Sequence, residues 1–163
     1  LNLWYIIEIK PKSSKIWLFK ANAFDLLNSK AIIQNSMITD FLIINCTGNN
    51  DKLGLRINKD FFIYDFTNKK NNNDNLVSVI KKFLDSHNVK LDNNFSVIVN
   101  QGPGSFSGLR ISLAVAKGLE ISKKVRLFGY KNTDLKQFNQ KHVEKLLNQK
   151  IIEKKLINPI YFS

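Results

Sequence analysis

The sequence predicts an α/β lobe with the element order βββαβαβ, and three observations carry that expectation. Apolar runs at 41–45, 52–58 and 61–66 follow one another with only turn residues between them, as antiparallel strands do. Leu76, Val79, Ile80 and Phe83 then fall at i, i+3, i+4 and i+7, the spacing of a helix that buries one face. Finally "FSVIV" (95–99), the stretch 107–122 and "VRLFG" (125–129) read as strand, helix, strand, a parallel βαβ unit.

Each element has a local cause. "FLIIN" (41–45) is continuously apolar, as a strand covered on both faces must be. "KLGLRIN" and "FFIYDF" flank Asn58, Lys59 and Asp60, which supply turn chemistry for a hairpin. Asn73 and Asp74 stand where a helix cap is expected, and "NKKNNNDN" (68–75) is polar and low in complexity, a solvated loop. Beyond Gly129 there remain 34 of the 163 residues, enough for one helix over about 134–150 and a last strand in "LINPIYF".

At the other end, "LNLWYIIEIKPKSSKIWLFK" suits a hairpin around residues 11–14, but no downstream element needs it. The chain opens with Leu1, its one methionine is Met37, and the regular pattern starts there. The expected organisation is a 1–36 extension outside the core with Met37 as the true start, a 37–130 lobe, and an abbreviated 131–163 segment.

The net charge of +12 points toward nucleic acid, yet only Arg56, Arg110 and Arg126 among the 25 basic residues are arginines. Broad Lys, Asn and Ile enrichment explains the charge better than a phosphate-binding face, which favours clustered Arg. Cys46 is the single cysteine, so no intrachain disulfide forms and a reducing, cytoplasmic setting is expected. Lys10, Pro11 and Lys12 interrupt the apolar N-terminal run, and membrane insertion is not expected.

The densest motif is "NQGPGSFSGLRISLAVAKGLE" (100–120), which places Gly102, Pro103, Gly104, Ser105, Phe106, Ser107, Gly108 and Arg110 at the junction of strand and helix. Such a junction can bind anions through free N–H groups and the helix dipole. The spacing fits neither phosphate signature. It lacks GxxxxGK[ST], it reads GxGxxxG instead of GxGxxG, and the next strand ends in Phe128, Gly129 and Tyr130 with no acid for a ribose. Ser105 and Ser107 would need a base to act as nucleophiles, and the chain offers only His87 and His142, both read as solvated surface residues. Gly102 and Gly104 permit unusual φ, Pro103 stiffens the turn, and Gly108, Ser112 and Ala116 form a small-residue ridge suited to close helix approach.

"GPGSFSGLRISLAVAKGLE" at 102–120 resembles the hallmark of the TsaB family, also called YeaZ. The first strand and its turn, "FLIINCTGNN" (41–50), the helix region "NNDNLVSVIKKFL" (72–84) and the closing "NPIYFS" (158–163) are similar to further family segments. The resemblance implies an actin-like, sugar-kinase-like ATPase fold with a strongly truncated second lobe. It implies a non-catalytic scaffold that binds TsaD and supports formation of threonylcarbamoyladenosine next to the anticodon of tRNA. No cofactor of its own is then expected, with nucleotide and metal on partner subunits, a TsaE-like ATPase in the complex, and tRNA met indirectly. Asn45 stands where the family has Asp, and Asn72 and Asn73 where it has His-Ser.

The two helices are expected side by side on one sheet face. Leu76, Val79, Ile80 and Phe83 on the first, with Leu109, Leu113, Ala116 and Lys117 on the second, are assigned to the partner interface. Three alternatives stand beside this: an active hydrolase or peptidase-like enzyme of the same fold, a basic RNA-binding structural protein, and a homodimer.

Overall fold

The fold was analysed in a computed structural model that describes residues 38–48, 50–66, 76–148, 152 and 157–161. The chain divides into two units, Leu1–Ser36 and Met37–Ser163, and every described residue belongs to the second. The expectations for the 1–36 extension, the Met37 start, the 68–75 loop, the Asn73 and Asp74 caps and Asn72 lie outside the described residues.

Strands β1 (Phe41–Asn45), β2 (Lys52–Ile57) and β3 (Asp60–Asp65) form an antiparallel meander. Helix α1 (Leu76–Ser86), strand β4 (Ser96–Asn100), helix α2 (Phe106–Lys123) and strand β5 (Arg126–Tyr130) follow, then a 3-10 turn at Asn132–Asp134 and helix α3 (Gln140–Asn148). The sheet order is β3-β2-β1-β4-β5, with β4 parallel to both β1 and β5. Expected and observed order agree through β5. Asn58 and Lys59 both hold positive φ, at 52° and 78°, the backbone of a two-residue type I′ turn whose twist suits a hairpin.

Period-two alternation builds two cores from the same strands. Leu42, Ile44, Leu53, Leu55, Val97, Val99 and Leu127 pack beneath α1 and α2, whose Leu76, Ile80, Phe83, Leu84, Leu113 and Ala116 complete that layer. Phe41, Ile43, Ile98, Phe128 and Tyr130 face the opposite way, under Val143 and Leu146 of α3. The register stacks like on like across the sheet: Leu42 pairs with Val97 and Val97 with Leu127, while Ile43 pairs with Ile98 and Ile98 with Phe128. Burial on both faces explains why β1 and β4 read as unbroken apolar runs.

Two boundaries differ from expectation. The helix expected over 134–150 starts at Gln140. Asn139 takes the capping position, its Oδ1 accepting from the His142 N–H at 3.0 Å, while Asp134 Oδ2 accepts from the Lys131 N–H and holds a separate turn. The last strand is not present among the described residues, since 157–161 run without ladder pairing. One backbone bond anchors that stretch, Ile160 N–H to Gln101 O at 2.6 Å, and Ile157 is buried. No helix among the described residues is long and apolar enough to cross a membrane.

Candidate functional site

The loop between β4 and α2 is pressed against the turn that leaves β1. Ser105 N–H donates to Thr47 O at 2.7 Å, so the two loops share a backbone bond. A Cβ added at Gly104 would lie 2.8 Å from Thr47 O, and one at Gly108 would lie 2.8 Å from Cys46 O; neither carbonyl can move without disturbing β1. These two glycines are therefore required by close approach, and Gly104 is not at positive φ as expected from sequence. Gly102 is, at φ 105°, and the Gly102–Pro103 peptide is cis. The C-terminal stretch closes over the loop: besides the Ile160 bond, the Tyr161 ring lies 5.0 Å from that of Phe106, and the Arg110 guanidinium sits 4.5 Å above Phe106.

At the carboxyl ends of the parallel strands, where this kind of sheet places ligands, the side chains form a neutral network. Asn45 Oδ1 accepts from Asn100 Nδ2 at 2.6 Å and from the Tyr130 hydroxyl at 3.0 Å. Asn100 Oδ1 accepts from the Gly102 N–H, and Asn132 N–H donates to Gly102 O, both at 2.8 Å. Beside it opens a cleft of about 540 Å³, bordered by Thr47, Asn50, Lys52, Pro103, Gly104, Asn132 and 135–138. A magnesium-bound nucleotide, the group an ATPase fold implies, suits this donor set poorly. Asn45 Oδ1 already serves two donors, and the cleft lining carries amides and two lysines without a carboxylate. Sequence reading found Asn45 but missed Asn100, Tyr130 and Asn132, whose only signal is their position at strand ends.

The titratable groups nearby are held away from chemistry. Burial pushes the Cys46 thiol well up, and the Asp51 carboxylate adds to that shift. Burial likewise raises the Asp51 carboxyl, opposed by backbone N–H donors including that of Gly48 at 2.8 Å. Burial also raises the Tyr130 hydroxyl. Ser105 and Ser107 place their hydroxyls 3.4 Å apart, and the histidines are committed elsewhere. His87 is not the solvated residue expected: it is half-buried, its ring 4.1 Å from Phe62 and 5.2 Å from Phe83, with Nδ1 3.0 Å from Ser86 Oγ. His142 is half-buried too, its Nδ1 2.9 Å from Asn139 Oδ1. No group of three His, Cys, Asp or Glu able to hold a metal occurs among the described residues.

The helices do lie on one sheet face, but the interface assignment must be corrected. Leu76, Ile80 and Phe83 of α1 and Leu109, Leu113 and Ala116 of α2 are buried within the chain, and Val79 is half-buried against the same core. Their apolar character serves the sheet, leaving none of those six for a partner. The ridge of Gly108, Ser112 and Ala116 is buried as well, whereas Lys117 is exposed as assigned. Beyond the exposed residues at its two ends and Glu120, α2 turns outward a stripe of Arg110, Ala114, Lys117, Gly118 and Ile121. Ile121 is 71% exposed, and a Cβ added at Gly118 would meet nothing within 4 Å. On α1, Val77 is 64% exposed.

A family profile described as "TsaD: tRNA N6-adenosine threonylcarbamoyltransferase" matches residues 67–146. The tRNA threonylcarbamoyladenosine biosynthesis protein TsaB of Buchnera aphidicola subsp. Schizaphis graminum is 28% identical over 109 residues, covering 62% of this chain and 52% of the relative. This chain thus spans about half the length of that relative. Among solved structures, YeaZ from Pseudomonas aeruginosa superposes with a TM-score of 0.55 at 15% identity, covering 69% of this chain and 50% of that one. A crystal structure of an uncharacterized protein, described as similar to peptidase YEAZ from Pseudomonas aeruginosa, gives 0.54 at 17% identity, covering 60% and 45%. These two likenesses carry the fold, in line with the actin-like ATPase lobe that the sequence resemblance implied. The signature loop at the β4–α2 junction and the TsaB relative point the same way: over part of its length the chain is similar to TsaB/YeaZ proteins.

Proposed function

We propose that this chain is a non-catalytic partner subunit in the formation of threonylcarbamoyladenosine on tRNA, docking a TsaD-like subunit through the outer face of α2. The observation that carries the proposal is the stripe of Ala114, Gly118 and Ile121, bordered by Arg110 and Lys117. A glycine within a helix costs about 1 kcal/mol relative to alanine. Nothing among the described residues requires Gly118, because the space around its missing Cβ is open. A helix approaching from outside would require it, since small residues let two helix backbones come close. The adjacent Ile121, at 71% exposure, supplies the apolar surface such a contact buries.

Nucleotide and metal then belong to the partner subunits, including a TsaE-like ATPase, and tRNA is met through the complex in the cytoplasm. The amide network at the strand ends supports this division of labour, because it lacks the carboxylate that would hold magnesium. The test is calorimetric titration of the full chain with the TsaD-like subunit from the same source. Wild type should bind, and Ile121→Asp should bind at least about ten-fold more weakly while its circular dichroism is unchanged. No binding by wild type, or full binding by a folded Ile121→Asp, overturns the proposal.

A further inference from the structure

Among the described residues the sheet ends on β3, and that edge is unusually apolar. Phe62, Ile63 and Tyr64 are consecutive and 38%, 45% and 39% exposed. Edge strands are commonly protected by lysine, proline or a bulge, and "DFFIYD" contains none of these in its paired register with β2. On the α1 side the surface is aromatic: Phe62 meets His87 at 4.1 Å, Tyr64 meets Phe66 at 5.2 Å, and Tyr64 meets Phe83 at 6.0 Å.

The hairpin fixes which backbone groups this edge offers. In a two-residue turn the flanking residues, here Ile57 and Asp60, exchange hydrogen bonds, and the pattern repeats at every second pair. Asp60, Phe62 and Tyr64 therefore spend their N–H and C=O groups on β2. Those of Phe61, Ile63 and Asp65 point away from the sheet.

We infer that β3 pairs antiparallel with β3 of a second copy of this chain across a two-fold axis at Ile63, joining two sheets into one. Only registers that set outward-pointing residues opposite one another satisfy both edges. The register centred on Ile63 does so along the whole strand, placing Phe61 against Asp65 of the second copy and Ile63 against its own equivalent. It also sets Phe62 against Tyr64 of the second copy, a non-hydrogen-bonded pair in which side chains stand closest and aromatic contacts stabilise. A one-residue shift to put Asp60 opposite Asp65 is forbidden by the hydrogen-bond pattern, and in the Ile63-centred register each acid faces an aromatic residue instead of another acid. Such self-complementarity favours a second copy over an unrelated extended peptide. The edge is separate from the α2 stripe, since α2 packs over β4 and β5 at the other side of the sheet, so this pairing is independent of the proposed docking.

Sedimentation equilibrium of the full chain up to about 100 μM tests it. A dimer is expected for wild type. Ile63→Pro removes one outward N–H without touching the β2 ladder, and Ile63→Lys places like charges together at the axis; each should raise the dimer dissociation constant at least about ten-fold with circular dichroism unchanged. A monomer throughout that range overturns the inference. So does a dimer that tolerates both folded variants, which would place the contact on another face. If Ile63→Pro fails to fold, Ile63→Lys at this half-exposed position decides alone.

Discussion

Gly118 allows one substitution to be read in two assays with opposite signs. In the isolated chain, Gly118→Ala should stabilise, because it adds a Cβ into open space and removes the entropy cost of a mid-helix glycine, about 1 kcal/mol. Gly118 is not at positive φ, so alanine fits the backbone without strain. For a domain of this size that gain corresponds to a rise in melting temperature of about 3–6 °C. Gly118→Leu should stabilise by a similar amount, since leucine is also a good helix former. In the complex the order reverses. A leucine side chain fills the space into which a partner helix would come, and overpacking of about 2 kcal/mol weakens binding about 30-fold. Differential scanning calorimetry of the free variants beside titration with the TsaD-like subunit measures both effects. A Gly118→Leu protein that melts higher and binds as tightly as wild type would refute the docking assignment; one that melts lower would refute the reasoning about the open site itself.

Four further outcomes follow from the same geometry. Gly108→Ala should destabilise by about 1–3 kcal/mol in urea denaturation, because its Cβ would crowd the Cys46 carbonyl at 2.8 Å; unchanged stability would show that the loops are not in that contact. Asn45→Ala should cost about 1–3 kcal/mol by removing an acceptor from the buried Tyr130 hydroxyl and leaving Asn100 Nδ2 with Asn132 Oδ1 alone, again read by denaturant melts. Asp51 has its folded pKa raised by burial, so the folded state binds its proton more tightly and wild-type stability falls as pH rises through the carboxylate range. Asp51→Asn keeps an oxygen for the Gly48 N–H and should flatten that dependence, becoming the more stable protein at neutral pH; parallel pH profiles of unfolding check the sign. Ser105→Ala and Ser107→Ala should leave tRNA modification by the reconstituted complex intact, and a large loss with folding and assembly undisturbed would restore a catalytic role.

The strands were legible because their physics is local. Burial on both faces makes β1 and β4 continuously apolar, and the positive φ at Asn58 and Lys59 marks the hairpin with residue types that tolerate it. Helix α1 was equally clear, since one face is apolar and the other carries Lys81, Lys82 and Asp85. Helix α2 was found but its faces were misread. Leucine, valine, isoleucine and alanine run nearly all round it, so periodicity cannot say which side meets the sheet. Gly108, Ser112 and Ala116 looked like an external ridge, while the outward small residues are Ala114 and Gly118. His87 looked solvated because its neighbours in sequence are polar; its packing partner Phe62 comes from β3, which no local pattern reveals.

The close packing of the signature loop and the outward stripe of α2 are parts of one arrangement. Successive helix residues are rotated by about 100°, so a helix shifted by one residue would turn Gly118 aside and bring another position outward. Two contacts resist such a shift at the first turn: the Ser105 N–H bond to Thr47 O, and the seating of Gly108 on the Cys46 carbonyl. The Phe106 ring, 5.0 Å from that of Tyr161 in the C-terminal stretch, adds a third. Gly108 and Gly118 are ten residues apart, roughly 15 Å along the helix axis, beyond the distance at which independent substitutions usually interact. If the loop merely adds stability, the binding losses of Gly108→Ala and Gly118→Leu should sum in a double-mutant cycle. If the loop sets the rotation of α2, Gly108→Ala already displaces the stripe, and the second substitution should cost less in its background than in wild type. A coupling of about 1 kcal/mol or more would separate the two cases by binding alone, and strict additivity would show that the signature loop stabilises α2 without aiming it.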